Sequence, residues 1–206
     1  MWELFQSGGP VMWPLLLCSI TALTVVLERA WFWRSFNVEH DRKAAEKLLN
    51  ECRDKEDACL SEIGLKHPEA GGAVTRMLLC GLVQSRFSMT KAMEAAALLE
   101  VQRMRRGMGI LDTIITAAPM LGILGTVTGI ISSFDMLSQS GTDDPHAVIG
   151  GIAQALITTA AGLIISIGAL FPFNYFNSRI ESAQDILESY ATRLEMLQDK
   201  VECKQQ

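Results

Sequence analysis

Three stretches of the chain lack charged residues and are long enough to cross a lipid bilayer. No Asp, Glu, Lys or Arg occurs in Leu4–Leu27, Thr113–Phe134 or Ala147–Ser178 of the 206-residue chain. About 20 apolar residues in a helix span the hydrocarbon core of a membrane. These segments are apolar on nearly every side, whereas a helix at the surface of a soluble protein keeps a polar face. The pattern predicts three transmembrane helices, at residues 11–33, 109–134 and 149–175.

The polar stretches between the spans have apolar residues at helical spacing, so we predict an all-α membrane protein whose spans extend into a cytoplasmic helical bundle. Ser88 or Thr90 can cap a helix that meets no breaker before Pro119 except Gly107 and Gly109. The second span is therefore predicted to continue into the cytoplasm as one long helix. A break is predicted at Lys66–Gly72, which contains a proline and two glycines. The remaining segments are an outer interfacial piece at 1–10, a cytoplasmic helical segment at 34–108, a periplasmic loop at 135–148 and a cytoplasmic helical tail at 176–206.

Lysine and arginine are distributed unevenly about the spans. Neither occurs before the first span or between Asp135 and His146, and all 18 lie within 29–106 or after Asn177. Because basic residues resist translocation, the N-terminus and the loop near Asp143 are predicted to lie on the periplasmic side of the membrane. The central segment and the C-terminus are predicted to lie on the cytoplasmic side.

Composition argues against several classes of function. The net charge of −5 and the absence of a concentrated basic stripe argue against nucleic-acid binding. The three histidines are far apart in sequence and the five cysteines show no paired spacing, so no metal site is expected. The sequence also shows no nucleophile–base pair or phosphate-binding loop. We therefore expect neither an enzyme nor a cofactor.

Small and hydroxyl residues recur on one face of the second span and on one face of the third. In lipid, such faces allow two helices to pack closely. Thr126 and Thr159 lie at similar depths, about 12 Å and 13.5 Å from the outer ends of their spans at 1.5 Å per residue. Two interpretations are open: simple packing, with each hydroxyl bonded to its own helix, or a polar face around a passage or another helix. The two sets are Pro119, Gly122, Thr126, Gly129 and Ser133, and Ala155, Thr159, Gly162, Ser166 and Ala169.

No acidic or basic residue lies in the middle of any span. Asp112 lies near the inner end of the second span, where it can mark the boundary of the membrane. Gln154 is polar and within the third span, but an amide does not titrate. A proton that moved along these helices would therefore need a carboxylate from another polypeptide.

Two motifs resemble those of the ExbB/TolQ family, which is distantly related to the flagellar stator protein MotA. They are APMLGILGTVTGIISSF in the second span and GIAQALITTAAGL in the third; the pair Glu28–Arg29 after the first span also fits. The resemblance covers nearly the whole chain, including the three spans and the large segment between the first two. MotA itself has four spans and fits less well.

The resemblance implies a subunit of a ring in the bacterial inner membrane, with five copies around a dimer of single-span ExbD- or TolR-like partners. The partner helix would carry the aspartate that binds the proton, and a TonB-like protein is a further candidate partner. The family's pore threonines correspond to Thr126 and Thr159. Its usual third-span glutamate corresponds to Gln154, which leaves one titratable position in doubt. The candidate pore-lining residues are Thr126, Thr159, Gln154, Thr158 and Ser133, and the candidate packing residues are Pro119, Gly122, Gly129, Ala155, Gly162 and Ser166.

The function implied is a proton-driven motor that energises work through its partner, for example transport at the outer membrane. The alternatives are a TolQ-type motor that maintains the cell envelope and an oligomeric membrane scaffold without proton flow. A self-contained ion channel is disfavoured, because the sequence offers no clear ring of charges or carbonyl-lined constriction.

Overall fold

The computed structural model describes residues 9–36, 38–54, 72–84, 88–140 and 145–204. These residues form six helices and no strand. The helices are α1 Met12–Ser35, α2 Val38–Asp54, α3 Ala73–Val83, α4 Met89–Arg105, α5 Met108–Ser140 and α6 Pro145–Lys204.

Three of these helices are long and apolar enough to cross a membrane. The qualifying stretches are Met12–Arg34 in α1, Met108–Asp135 in α5 and Ile149–Gln198 in α6. The prediction of an all-helical membrane protein with three apolar spans is thus confirmed. The predicted interfacial segment lies almost wholly outside the described residues, as does the predicted break at 66–72 except for Gly72.

The prediction that the second span continues beyond the membrane as a single helix is wrong. Helix α4 ends at Arg105, and α5 begins at Met108 after a turn. Gly107 lies in this turn with φ +80°, in the left-handed region that glycine adopts at little cost. The third span does continue as predicted, since α6 runs unbroken over 60 residues.

The chain forms two compact units. The membrane unit comprises Met1–Ala30 and Gly107–Phe176, and the polar unit comprises Trp31–Arg106 and Asn177–Gln206. The polar unit has an apolar core drawn from α2, α3, α4 and the second half of α6. Its buried members include Leu48, Leu49, Met77, Leu78, Leu82, Met93, Leu187, Tyr190 and Leu194.

The N-terminus of α3 is capped from a distance by Asp41 of α2. The buried Asp41 carboxylate accepts hydrogen bonds from the backbone N–H groups of Val74 (2.9 Å) and Thr75 (3.1 Å), and from the Thr75 hydroxyl (2.7 Å). A Cβ at Gly72 would collide with this carboxylate, so glycine gives the space that the cap needs. Because the first N–H groups of a helix lack partners within it, Asp41 fixes both the start of α3 and its position against α2.

An ion cluster joins α3 to α4. The nearly buried carboxylate of Glu100 accepts two hydrogen bonds from Arg76, at 2.9 and 2.6 Å, and one from Arg103 at 2.9 Å. The hydrogen bond with Glu100 raises the pKa of the Arg76 guanidinium further above its usual value. A bidentate arginine–carboxylate pair fixes orientation as well as distance, so the cluster sets how α3 lies on α4.

In the membrane unit, α5 and α6 pack through backbone contacts that only small residues permit. A Cβ at Gly122 would lie 3.0 Å from the Cα of Thr159, and one at Gly129 would lie 3.0 Å from the Cβ of Ala155. A Cβ at Gly162 would meet the Ala118 carbonyl and come within 3.2 Å of the Gly122 Cα. Gly122, Gly129, Ala155 and Gly162 therefore lie between these two helices.

Pro119 interrupts the hydrogen bonding of α5, and α6 compensates for it. Proline has no N–H, so the carbonyl four residues earlier, that of Ile115, loses its donor within the helix. The Ser166 hydroxyl of α6 donates to this same oxygen at 2.7 Å. Because water is absent from the bilayer core, a backbone carbonyl freed there must find a partner within the protein.

Replacing Asp41 by alanine should destabilise the polar unit by about 1–3 kcal/mol, because the buried donors at the start of α3 lose their acceptor. Thermal unfolding of the purified protein in detergent measures the loss. Asp185→Ala, at an exposed position of α6 in the same unit, is the control, with an expected change below about 0.5 kcal/mol. Equal shifts for the two variants would refute the capping role.

Gly162→Leu should weaken the contact between α5 and α6 by about 1–3 kcal/mol, since the new side chain meets backbone that has no room to move. Resistance to unfolding by SDS in mixed micelles measures this effect. Gly168→Leu is the matched control, because a Cβ there meets nothing within 4 Å. Equal resistance of both variants would contradict the packing described.

Ser166→Ala should cost about 1 kcal/mol in the native chain and close to nothing in a Pro119→Ala background. Alanine at 119 restores the N–H to the Ile115 carbonyl, so the serine is no longer needed as a donor. A double-mutant cycle on unfolding free energy isolates this coupling. Additive effects of the two substitutions would show that Ser166 does not replace the missing donor.

Candidate functional site

The hydroxyl groups of the α5–α6 pair fall into two groups, enclosed and open. Thr158 and Ser133 are enclosed. Thr158 is 1% exposed and would collide with a Cβ at Gly125, while Ser133 is 3% exposed and lies against Gly151. Each hydroxyl donates to its own helix, Thr158 to Ala155 and Ser133 to Gly129, both at 2.8 Å. In the single chain these two residues fill the contact between the helices rather than line a space.

Thr159 and Thr126 lie at the edge of the same contact and are partly exposed. The Thr159 hydroxyl donates across the pair to the Gly122 carbonyl at 3.0 Å, with a longer approach of 3.4 Å to Ala155 of its own helix. The Thr126 hydroxyl donates to Ile123 of its own helix at 2.6 Å. Each keeps its oxygen as an acceptor for a further donor.

The two threonines share one side of the helix pair. Thr159 bonds to Gly122, and Thr126 lies one helical turn further along α5, about 6 Å at 1.5 Å per residue. Thr126 is displaced by only about 40° around α5 from Gly122, at 100° per residue. The two hydroxyls are therefore on neighbouring turns of one edge, and we name the surface around them the Thr126 side.

Gln154 lies on another face of α6. Its side chain is partly buried and contacts Gly9, where an added Cβ would collide with the Gln154 amide. Gln154 is about 140° from Thr159 around the helix, at 100° per residue. The structure thus separates Gln154 from the Thr126 side, although the sequence analysis grouped it with the two threonines.

Few ionisable side chains lie in the described part of the membrane unit. Arg29 is 2% exposed and pairs with Glu28, which accepts from its Nε at 2.7 Å. Asp112 and Asp135 lie exposed toward opposite ends of the apolar stretch of α5. Among the described residues, no group of three or more His, Cys, Asp or Glu side chains is placed to hold a metal ion.

Sequence reasoning identified Ser166 as a small packing residue but missed its role as a donor to Ile115. The signal was available, because a serine on one helix and a proline on the next are a common combination where backbone carbonyls need donors. Asp112 was interpreted from sequence only as a marker of the membrane boundary, and its face on α5 was not predicted. The spacing of 14 residues between Asp112 and Thr126 is close to a whole number of helical turns.

The chain is similar to a group of transport proteins. It is 38% identical to an ExbB-like biopolymer transport protein of Synechocystis sp. (ExbB-like 1), over 96% of this chain and 78% of that protein. It is 32% identical to a second Synechocystis protein, ExbB-like 3, over 84% of this chain and 83% of that protein. It is also 32% identical to the biopolymer transport protein ExbB of Xanthomonas campestris pv. campestris, over 74% of this chain and 59% of that protein.

The model of the MotA/TolQ/ExbB proton channel family matches residues 72–189. The match begins at the cap of α3 and includes all of α5 and the first 45 residues of α6. These are the helices that carry the small-residue contact and both open threonines. With three apolar helices and these relatives, this chain is an inner-membrane protein of the MotA/TolQ/ExbB proton channel family.

Proposed function

We propose that this chain is the ring subunit of a proton-driven motor that converts the proton-motive force into work on a partner. Five copies would surround a dimer of single-span proteins of the ExbD or TolR type. The Thr126 side of each subunit would face the lumen of the ring. The N-terminus and the 135–148 loop would lie in the periplasm, and the polar unit and C-terminus in the cytoplasm.

The observation that carries this proposal is the pairing of two charge-free helices with open hydroxyls at one edge. Thr126 and Thr159 offer acceptor oxygens on neighbouring turns, and the spans around them hold no fixed charge in their middle. The hydroxyl oxygen can accept a hydrogen bond from a carboxylic acid, and the O–H can donate to a carboxylate once it turns away from its backbone carbonyl. A partner carboxylate can therefore pass such a site in either protonation state without being held by an ion pair.

The energy of a proton crossing the membrane is large enough to move a partner carboxylate between hydroxyls of the ring. A proton that crosses a potential of 100 mV releases about 2.3 kcal/mol. This is about twice the net strength of one hydrogen bond between neutral groups, about 1 kcal/mol. Protonation and release of a partner carboxylate can thus move the partner from the hydroxyls of one subunit to those of the next.

The process driven is proposed from the names of the relatives, which describe biopolymer transport. Energising outer-membrane transport, with a TonB-like protein as a further partner, is the first candidate. A TolQ-type role in envelope maintenance would use the same ring chemistry with a different partner. A scaffold without proton flow would keep the helix packing but would not need the two open hydroxyls.

Replacing both Thr126 and Thr159 by valine should reduce partner-dependent proton flux about 100-fold, the scale on which positioned proton-transfer groups act. The measurement uses the complex purified with its co-purifying partner, reconstituted in vesicles that contain a pH-sensitive dye. The double serine variant, which keeps both hydroxyls, should retain flux. The mass of the complex checks that assembly is preserved.

Thr128→Val is the matched control for the loss of a hydroxyl. Thr128 is exposed on the same helix, about 160° from Thr126 at 100° per residue, and its hydroxyl donates to Leu124 at 3.0 Å. Its removal should leave flux unchanged. Full flux in the Thr126→Val/Thr159→Val variant would refute the assignment of the two hydroxyls to the proton pathway. Absence of partner-dependent flux in the native complex would favour the scaffold.

A further inference from the structure

Asp112 is an exposed acid in a helix that is long and apolar enough to cross the membrane. It is the fifth residue of α5, about 6 Å from the start of the helix at 1.5 Å per residue. Its side chain is exposed, and its carboxylate makes no hydrogen bond or ion pair within the described part of the chain. The described acids of the membrane unit are Glu28, Asp112 and Asp135, and Glu28 is paired with Arg29.

The face that Asp112 occupies is the one that carries Thr126. The two residues differ by about 40° around α5 at 100° per residue, and by about 21 Å along it. Pro119 and Ile123 lie between them on the same face. Thr116 is one turn from Asp112, exposed, and its hydroxyl donates to the Asp112 carbonyl at 3.2 Å. This surface therefore has a hydroxyl near its middle and a hydroxyl and a carboxylate toward its inner end.

A carboxylate on this face needs water or a cation beside it. Exposure of a charged group to lipid within a span is costly, and such groups almost always face a water-filled space or a partner. On the proposed function the Thr126 side faces the lumen, and Asp112 then faces the same lumen near its cytoplasmic end. Among the described acids of the membrane unit, Glu28 and Asp112 lie toward this end of the pathway, and Glu28 is already in an ion pair with Arg29.

We infer that Asp112 is the proton acceptor at the cytoplasmic end of the pathway, an inference that rests on the proposed function. The carboxylic acid of the partner gives up its proton, through water in the lumen, to the Asp112 carboxylate. The partner becomes a carboxylate and Asp112 becomes a carboxylic acid. Asp112 then loses the proton to cytoplasmic water and returns to its charged form, so each cycle moves one proton inward.

With this role for Asp112, binding of the partner carboxyl and uptake of the released proton take place at different positions along α5. Thr126 and Thr159 contact the partner carboxyl in both of its protonation states, whereas Asp112 draws the proton away once it is released. The negative charge of Asp112 raises the local concentration of protons at this end of the lumen, and the proton-motive force sets the direction of net flow. The site thus takes a proton or hydronium ion as its ligand.

The test compares proton flux through complexes that contain Asp112→Asn or Asp112→Glu, purified with the co-purifying partner and reconstituted in vesicles with a trapped pH-sensitive dye. Asparagine matches aspartate in shape but does not titrate, so flux should fall about 100-fold. Glutamate keeps the carboxyl group and should retain at least about half of the native flux. The partner content and mass of the complex should be unchanged in both variants.

Asp135→Asn is the matched control, since Asp135 is an exposed acid toward the other end of the same apolar stretch, and it should leave flux within about twofold of native. Native flux in Asp112→Asn would overturn the inference while leaving the motor intact. Loss of the partner from the Asp112→Asn complex would also overturn it, because Asp112 would then be an ion-pair contact. If instead the native complex shows no partner-dependent proton flux, the proposed function itself fails.

Discussion

The close approach of α5 and α6 is the contact on which the candidate site depends. Lipid offers no hydrophobic drive for two helices to associate, so attraction must come from short-range contact and from hydrogen bonds between them. Gly122, Gly129 and Gly162 bring backbone atoms within van der Waals distance. Only at this separation can the Thr159 hydroxyl reach a carbonyl of the other helix. The position of the open hydroxyls is therefore a consequence of the glycines, and the chemistry and the packing share the same residues.

The polar unit is stabilised in a different way. Its helices lie in water, and an apolar core of leucine, methionine and tyrosine side chains supplies the drive that the membrane unit lacks. Specific geometry comes from two buried carboxylates, Asp41 on the N-terminus of α3 and Glu100 between two arginines. Both satisfy their oxygens with several donors, as a buried charge requires. Helix packing thus depends on small residues in the membrane unit and on hydrogen-bonded carboxylates in the polar unit.

The three spans and the small-residue faces could be predicted from sequence, because they depend on local composition and on the period of the helix. The break at Gly107 was missed, although the glycine was visible, since helical propensity alone does not decide whether a glycine adopts a left-handed conformation. The cap from Asp41 joins residues more than thirty positions apart. A local sequence pattern does not predict a contact over such a distance along the chain. The angle of about 140° between Gln154 and Thr159 follows from their spacing in the helix and could have been predicted. The contact of Gln154 with Gly9 could not, because the two residues are far apart in sequence.

The bond from Ser166 to Ile115 also bears on how the helix pair responds to mechanical load. A carbonyl that obtains its donor from another helix fixes the two helices in axial register, because a slip of one residue, about 1.5 Å, would break the bond in a medium with no water to replace it. With the contacts at Gly122 and Gly162, it makes sliding of one helix past the other unfavourable. Helices α5 and α6 should therefore transmit force as one rigid body. Elastic deformation should concentrate in parts of the chain that have no such hydrogen bond between helices.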